Sequence, residues 1–319
     1  EPITQHHKNI ACAVQRRLET IIMKQLRIAR DKFNLNKLCI SGGVGLNCSL
    51  NGMIERNNIF DEIFVQPASG DSGTSLGACY LSYKKYDKSY KSERWHNFYL
   101  GSSFNKEEIQ KDLDDIWTET NNRESFALGE AVWSYHISDD IYGETAQFIK
   151  DGKVVSWFQG GAEFGPRALG NRSILVSPYP NTMKDHINAK VKFREEFRPF
   201  APACLLEETK NYFDLKQESP HMLMACKTLE NKIKNVPSIV HVDDSARVQT
   251  VNKENNPRFR RLIEEVYKLT DCPVVLNTSF NVKGQPVVNS PEDAIRCFLS
   301  TEIDVLTIGD FIAVKRGVE

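Results

Sequence analysis

The chain has 319 residues, of which 40% are hydrophobic and 26% charged, and its formal net charge at pH 7 is −1. This length allows two domains of ordinary size, and the composition is that of a globular protein. The near-zero charge argues against a general nucleic-acid binder, and no apolar run is long enough for a transmembrane helix. Neither nucleic acid nor membrane is therefore expected as a partner.

The eight cysteines are scattered along the chain and form no CxxC pair. In this setting they are expected to be small buried core residues rather than disulfide partners or zinc ligands. This usage is typical of a reducing compartment, so a cytoplasmic protein is expected. The chain begins at Glu1 without Met and enters a helical pattern almost at once, which indicates a fragment of something longer.

Helix-spaced apolar residues predict a long amphipathic helix over residues 4–33. A short strand at 38–40 then leads into SGGVGLN, and another at 63–65 leads into PASGDSGTS. Glycines at a strand end let the backbone approach a nucleotide, although a glycine pair also makes a simple tight turn. Asp71, in the second loop, could hold a divalent metal or nucleotide hydroxyls, or it could cap the next helix. The residues alone leave these two roles for Asp71 about even.

Polar stretches divide the chain near its middle. Residues 84–94 and 118–124 are poor in aliphatic side chains, and between them we expect a strand at 98–100 and a helix capped by Asn105. The predicted boundary gives a first domain over 1–125 and a second over 126–319. A helix at 137–150 is expected to open the second domain.

Positive charge is concentrated in the segment from Gly165 to Phe200, which has four more basic than acidic residues. Arginines framed by Gly, Pro and Phe are typical of a fixed fork for an anion, whereas a solvated basic loop is the plainer alternative. A strand at 153–159 precedes this segment, and part of 188–198 is expected to be helical. Beyond it we expect strands at 200–206, 273–276, 305–308 and 311–314 and helices at 257–270 and 291–300.

The predicted second domain offers cations and small polar donors for a single site. The cations are Arg167, Arg172, Lys192, Arg194, Arg198 and Arg247, and the hydroxyl and amide groups are Thr278, Ser279 and Asn281. Such a set suits a triphosphate or an acyl phosphate, because fixed donors stabilise charge on phosphoryl oxygens. There is no Walker-type loop and no evident Ser–His or Cys–His pair, so positioning and electrostatics are the expected means of catalysis.

Six motifs resemble the O-carbamoyltransferases of antibiotic and nodulation-factor biosynthesis. In chain order they are GGVGLN, QPASGDSGTSLGA, EFGPRALGNRS, KVKFREEFRPFAP, HVDDSARVQTV and LNTSFNVKGQPVV. The resemblance implies an α/β protein in which the second lobe of an actin/Hsp70-like (Kae1-like) domain precedes a YrdC-like domain with a twisted mixed sheet. It also implies that carbamoyl phosphate and ATP form a carbamoyl-adenylate, whose carbamoyl group passes to a substrate hydroxyl beside a bound metal.

Individual residues take roles from this resemblance. Lys192, Arg194, Arg247, Ser279 and Asn281 match catalytic positions. Arg167, Arg172, Arg198 and Thr278 match substrate and phosphate binding, Gly42, Gly43 and Asn47 match nucleotide binding, and Asp71 matches a metal ligand. The implied cofactors are ATP, carbamoyl phosphate and Mg²⁺, with Fe²⁺ or another divalent metal in a complete transfer domain. The family's H-x-x-x-H metal pair is absent, because His6 and His7 have the wrong spacing, so an incomplete transfer domain is expected.

The expected acceptor is a small molecule with a hydroxyl group, such as a sugar, an antibiotic or a nodulation-factor-like compound. A homodimer is left open. Two other functions compete with carbamoyl transfer. One is synthesis of a threonylcarbamoyl-adenylate for tRNA modification, which would use bicarbonate and threonine. The other is a non-catalytic nucleotide-binding or RNA-binding module, against which the near-zero net charge argues.

Overall fold

A computed structural model describes residues 3–91, 97–121, 132–193 and 198–318. The α-helices of these residues are α1 (Gln5–Phe33), α2 (Cys48–Arg56), α3 (Gly73–Tyr86), α4 (Lys106–Thr120), α5 (Ile141–Lys150), α6 (Thr182–Lys190), α7 (Thr209–Tyr212), α8 (Pro257–Thr270) and α9 (Pro291–Leu299). The β-strands are β1 (Lys37–Ile40), β2 (Glu62–Val65), β3 (Trp133–Ile137), β4 (Val155–Phe158), β5 (Arg172–Val176), β6 (Ala201–Leu205), β7 (Phe213–Asp214), β8 (Met224–Thr228), β9 (Ser245–Val251), β10 (Val274–Ser279), β11 (Val305–Ile308) and β12 (Phe311–Lys315).

The strands form one small and one large sheet. β1 and β2 pair in parallel, and the other strands form a 10-stranded sheet in the order β3-β12-β11-β4-β5-β10-β6-β9-β8-β7. Its neighbours are antiparallel except for β4 with β11 and β6 with β9. The protein is therefore mixed α/β with a large, mostly antiparallel sheet. The finer actin-like and YrdC-like assignments stay predictions.

Helices cover both faces of the large sheet. Val275 of β10 packs in the same apolar cluster as Ile149 of α5 and Ile263 of α8. The next residue, Leu276, belongs to the cluster that contains Phe298 of α9. Successive side chains of a strand point to opposite faces, so the apolar run in β10 serves two helical layers. With both faces covered, the ends of the strands are the places where polar side chains can gather.

The N-terminal region joins the large sheet chiefly through α2. The long helix α1 buries Met23, and α3 buries none of its residues. In contrast, α2 buries Leu50, Asn51 and Ile54, and it lies against β8. Position and orientation of the N-terminal loops relative to the sheet therefore depend on the α2–β8 contact.

Three expectations about secondary structure and domains need comment. Residues 98–100 are not a strand, because they bond only irregularly to residues 162–164, as in the Phe164 N–H bond to the Phe98 carbonyl of 2.7 Å. The helix expected from residue 137 begins only at Ile141, because residues up to Ile137 pair with β12 as the edge strand β3. The boundary expected at residue 125 lies outside the described residues, and the division into two domains stays a prediction.

The expectation that the cysteines are mostly buried is only partly correct. All eight are free thiols, and Cys204, Cys226 and Cys297 are buried in the core. Cys12 and Cys79 are exposed, because the faces of α1 and α3 that carry them are open to solvent. Among the described residues, no helix combines the length and the apolar character that a membrane span requires.

His221 is a half-buried titratable group and yields a prediction about pH. Its ring meets Phe98 edge-on at 5.1 Å between centroids, and burial lowers its pKa to about 4. The unfolded chain binds this proton near pH 6.5, so the stabilising contribution is complete above that pH and is lost as the pH falls toward 4. Between pH 7 and pH 5, we expect the wild type to lose about 1–2 kcal/mol more unfolding free energy than His221→Gln. Urea unfolding at both pH values measures this difference, and equal losses in the two proteins would contradict it.

Candidate active site

The predicted site residues of the C-terminal region gather at one end of the large sheet. In the antiparallel register, Ser279 at the end of β10 pairs with Ser173 at the start of β5, and Asn277 pairs with Ala201 at the start of β6. Strand β9 runs parallel to β6 and also begins at this end. This end of the sheet, formed by the end of β10 and the starts of β5, β6 and β9, is called the upper end of the sheet.

Lys192 makes the densest set of contacts at the upper end. The residue is 4% exposed, and its Nζ donates to Asn281 Oδ1 at 2.7 Å and to the Asn281 carbonyl at 2.9 Å. It also donates to Ser279, through Oγ at 3.2 Å and through the backbone carbonyl. Ser279 Oγ in turn donates to Asn281 Oδ1 at 2.7 Å. The structure therefore brings Lys192, Ser279 and Asn281 together, and we call these three residues the lysine cluster.

Arg247 and Arg198 lie at the same end of the sheet. Arg247 is a half-buried residue of β9, and Arg198 is an exposed residue just before β6. Burial lowers the pKa of His241, and the nearby charges of Arg247 and Lys184 lower it further, against the opposing charge of Asp243. Thr278 is half-buried in β10, and Arg194 lies outside the described residues.

Arg167 belongs to a loop of residues 163–171, which we call the arginine loop. This loop lies against β9 and β10 of the large sheet and reaches the N-terminal region. Asn277 Nδ2 donates to the Ala168 carbonyl at 3.3 Å, and Gln249 Nε2 donates to the Leu169 carbonyl at 2.8 Å. At its other end, Gly165 has φ +134°, and a Cβ there would lie 2.8 Å from the Pro67 carbonyl. Only glycine allows this approach.

Arg167 lies where the arginine loop meets the N-terminal region. Its pKa is lowered by burial, while the Cys48 thiol at the start of α2 acts in the opposite direction. Within the described residues, the buried Nε of Arg167 has no hydrogen-bond partner. An unsatisfied guanidinium N–H in a buried setting is unfavourable and is readily satisfied by an anionic ligand. Arg167 therefore lies at the junction between the two regions, and among the described residues no contact links it to the lysine cluster.

Arg172 has a different environment from the other predicted phosphate ligands. It is fully buried, and its guanidinium lies 3.6 Å from the Phe158 ring centroid. Its terminal nitrogens donate to four backbone carbonyls, those of Ser102, Gln159, Gly160 and Asn171. Burial lowers its pKa to about 10, against the opposing charge of Glu163. A phosphate would have to displace these carbonyls, so the geometry favours a structural role, and phosphate binding by Arg172 stays an untested prediction.

Sequence reasoning missed Glu163, which shapes the arginine loop. Its Oε1 accepts hydrogen bonds from the backbone N–H groups of Leu169 and Asn171, each at 2.8 Å, and of Arg172 at 3.1 Å. One carboxylate oxygen thus satisfies three amides of the loop. Its position in the motif EFGPRALGNRS, before a glycine-containing basic stretch, was a usable signal. The basic segment begins at Gly165, so Glu163 lies two residues outside it and was not weighed with its charges.

The glycine loop of the N-terminal region (residues 42–47) is held by local contacts. Gly42 adopts φ +100°, and its N–H donates to the Ser69 carbonyl at 2.7 Å. A Cβ added at Gly43 would meet no atom within 4 Å, so this part of the loop is open. Asn47 caps α2 by accepting from the Leu50 N–H at 3.0 Å, and it exchanges hydrogen bonds with Gln15. The side chain of Asn47 thus serves the fold, and nucleotide binding by Gly42, Gly43 and Asn47 stays a prediction.

Asp71 was predicted as a metal ligand or as a helix cap. The structure places it in an exposed turn, where its backbone carbonyl accepts from Thr74. The N-cap position of α3 is Ser72, which makes no side-chain capping hydrogen bond, so Asp71 does not cap this helix. The part of the chain that the structure describes contains no group of three His, Cys, Asp or Glu side chains arranged to hold a metal ion. These residues alone do not fit a metal, and the metal role of Asp71 stays a prediction.

Comparison with known proteins places the chain in a family. The model described as Carbamoyltransferase C-terminus matches residues 146–315, and that described as Carbamoyltransferase N-terminus matches residues 2–80. An uncharacterized protein of Synechocystis is 39% identical over 98% of this chain and 53% of its own length. The nodulation protein NolO of Bradyrhizobium diazoefficiens is 39% identical over 99% of this chain and 56% of its own length.

A third relative carries an enzyme name. The 3'-hydroxymethylcephem-O-carbamoyltransferase of Streptomyces clavuligerus is 34% identical over 86% of this chain and 48% of its own length. The chain spans about half the length of the curated relatives that it matches. A nucleotide-bound HypF structure aligns with 58% of the chain and 22% of its own chain at 18% identity and a TM-score of 0.36, which is too low to support an argument. From the family models and these relatives, the chain belongs to the carbamoyltransferase family, together with NolO and the cephem O-carbamoyltransferase.

Proposed function

We propose that the C-terminal region activates a carbamoyl group with ATP. In this reaction carbamoyl phosphate, ATP and one water yield carbamoyl-adenylate, inorganic phosphate and pyrophosphate. A hydroxyl group of an acceptor then takes the carbamoyl group in the complete enzyme and releases AMP. The Streptomyces relative is named for a hydroxymethyl acceptor. We infer that a small molecule with a free hydroxyl group is also the acceptor in the reaction proposed for this chain.

The lysine cluster is the observation that carries this proposal. A phosphoryl-transfer site must hold negative charge that spreads over phosphoryl oxygens, and fixed cations achieve this without reorganising during the reaction. The Lys192 ammonium is nearly buried and is oriented by Ser279 and Asn281 at distances between 2.7 and 3.2 Å. The three N–H groups of this ammonium bond to four acceptors, so a phosphate would take the place of a side-chain acceptor, Ser279 Oγ or Asn281 Oδ1. Arg198 and Arg247 add guanidinium groups at the same end of the sheet.

Release of pyrophosphate tests the reaction directly. The chain is incubated with ATP and Mg²⁺, and pyrophosphate is measured with and without carbamoyl phosphate. We expect release only when carbamoyl phosphate is present. Release that requires bicarbonate and threonine instead would support the competing synthesis of threonylcarbamoyl-adenylate. Salt-sensitive RNA binding without any pyrophosphate release would support a binding module.

Arg247 gives a prediction within the same assay. In the proposed site the Arg247 guanidinium stabilises a phosphate near the start of β9, so Arg247→Ala is expected to lower carbamoyl-phosphate-dependent pyrophosphate release about 100-fold or more. Arg296→Ala is the matched control, because Arg296 is an exposed arginine of α9 that pairs with Glu119 at 3.0 Å. The control is expected to keep the wild-type rate within about twofold. An Arg247→Ala rate equal to that of the control would remove Arg247 from the site.

A further inference from the structure

Asn51 is a buried residue of α2 whose side chain links distant parts of the chain. It is 0% exposed, and its Nδ2 donates to the Gly45 carbonyl at 2.8 Å and to the Leu223 carbonyl at 2.9 Å. Both acceptors are carbonyl oxygens, so only the amide nitrogen can face them. Gly45 belongs to the glycine loop, and Leu223 directly precedes β8. One carboxamide group thus holds the glycine loop against the large sheet.

The surroundings of Asn51 make this link short and stiff. Helix α2 lies so close to β8 that a Cβ added at Gly52 would be 1.8 Å from the Ala225 carbonyl. Arg56 Nη1 donates to the same carbonyl at 2.8 Å. Ala225 is also the register partner of Arg247 in β9. Arg247 is therefore connected to the glycine loop through the β8–β9 pair and the buried side chain of Asn51.

We propose that Asn51 is a positioning residue that couples the glycine loop to the upper end of the sheet. The proposal rests on the proposed function, in which Arg247 binds a phosphate. A phosphate bound at Arg247 orders the start of β9 and its partner β8, and Asn51 transmits this order to the Gly45 carbonyl. By linkage, ordering of the glycine loop raises the affinity of the Arg247 site for phosphate by the same factor.

A second contact between the same regions provides a matched control. The Gln217 side chain bonds to both backbone groups of Ile63 in β2, with Nε2 donating at 2.7 Å and Oε1 accepting at 3.0 Å. Like Asn51, Gln217 is an amide that ties the N-terminal region to the C-terminal one, but it attaches to β2 rather than to the glycine loop. A merely structural role for both amides predicts the same behaviour for both variants.

Hydrogen exchange in the glycine loop tests the coupling in the 319-residue chain. Backbone exchange of residues 42–46 is measured with and without carbamoyl phosphate plus ATP. In the wild type and in Gln217→Leu, we expect the ligands to slow exchange about tenfold, which corresponds to a modest coupling energy. In Asn51→Leu, we expect slowing of less than about twofold, because leucine fills the space and donates no hydrogen bond. At saturating carbamoyl phosphate and ATP, pyrophosphate release by Asn51→Leu is expected to stay within about threefold of wild type, because the lost coupling lowers ligand affinity and not the rate of the occupied state.

The remaining arms separate the proposal from its alternatives. Lys192→Met is expected to abolish the slowing of exchange, because in the proposal the ligands bind at the upper end of the sheet. Slowing that persists in Lys192→Met would mean that the ligands bind the glycine loop directly, and it would overturn the coupling. Equal slowing in Asn51→Leu and the wild type would also overturn it. Should Asn51→Leu fail to fold, Asn51→Ser is used, since its hydroxyl is too short to reach both carbonyls. If the wild type releases no pyrophosphate, the proposed function is contradicted, but the coupling can still be tested. Hydrogen exchange is then measured with pyrophosphate alone as the ligand, and the same slowing is expected in each variant.

Discussion

Carbamoyl-adenylate formation is expected to fall by about two to three orders of magnitude when Lys192 is replaced by methionine. The substitution removes the ammonium but keeps most of the apolar stem, so the packing of this nearly buried side chain is largely retained. What is lost is the one cation whose position Ser279 and Asn281 fix through three or more hydrogen bonds. Pyrophosphate release that depends on carbamoyl phosphate measures the effect.

The control for this prediction is Lys268→Met. Lys268 is an exposed lysine of α8, paired with Glu265 at 2.8 Å, and it loses the same ammonium group without touching the upper end of the sheet. Its rate is expected to stay within about twofold of wild type. Circular dichroism and thermal unfolding show whether Lys192→Met has kept its fold. A well-folded Lys192→Met protein with the turnover of the control would remove the lysine cluster from the mechanism.

The second large effect is expected in stability rather than in rate. Arg172→Met is expected to lower the free energy of unfolding by about 3–5 kcal/mol, because it leaves several backbone carbonyls buried without a donor. These carbonyls lie on residues 102, 159, 160 and 171, so the loss affects the start of β5, the arginine loop and the segment before α4 together. Urea unfolding followed by tryptophan fluorescence measures the change.

Arg260, a partly exposed arginine, provides the control for this loss of unfolding free energy. Arg260 of α8 pairs with Glu207 at 2.6 Å and with Glu264 at 2.8 Å, and it is a partly exposed side chain. Arg260→Met is expected to change the free energy of unfolding by less than about 1 kcal/mol. If Arg172→Met were as mild as this control and instead raised the ATP concentration needed for half-maximal rate, Arg172 would be a phosphate ligand, as its sequence context predicts.

Lys192 and Arg172 show what a motif can and cannot distinguish. Both are buried cations in basic, glycine-containing or aromatic-containing motifs, and the sequence assigns both to one anion site. In the structure, Lys192 bonds to the side chains as well as the carbonyls of Ser279 and Asn281, whereas the hydrogen bonds of Arg172 go to backbone carbonyls and its guanidinium stacks on the Phe158 ring. The difference lies in which groups surround each cation. Those around Lys192 are 87 and 89 positions away, whereas Arg172 combines nearby carbonyls with that of Ser102, which is 70 positions away.

Several elements were predictable because their signals are local. Helix α1 begins and ends within a residue of the positions that its apolar spacing predicts, and Asn105 caps its helix as expected. Strand β10 follows its apolar run and ends in the polar residues assigned to the site. The errors fall where partners are distant: residues 133–137 become a strand only because β12 is available to pair with them.

The order of residues along the chain determined the helix periods and caps, the apolar runs of the strands, and the motifs that mark the carbamoyltransferase family. These features depend on neighbours within a few positions, so the physics that produces them can be read from the sequence itself. Tertiary structure alone decided that Lys192 meets Ser279 and Asn281, that the arginine loop approaches Pro67 at Gly165, and that Asn51 joins Gly45 to Leu223. Contacts of this kind arise from strand register and helix packing over long separations, and neither quantity is encoded in any single stretch of residues.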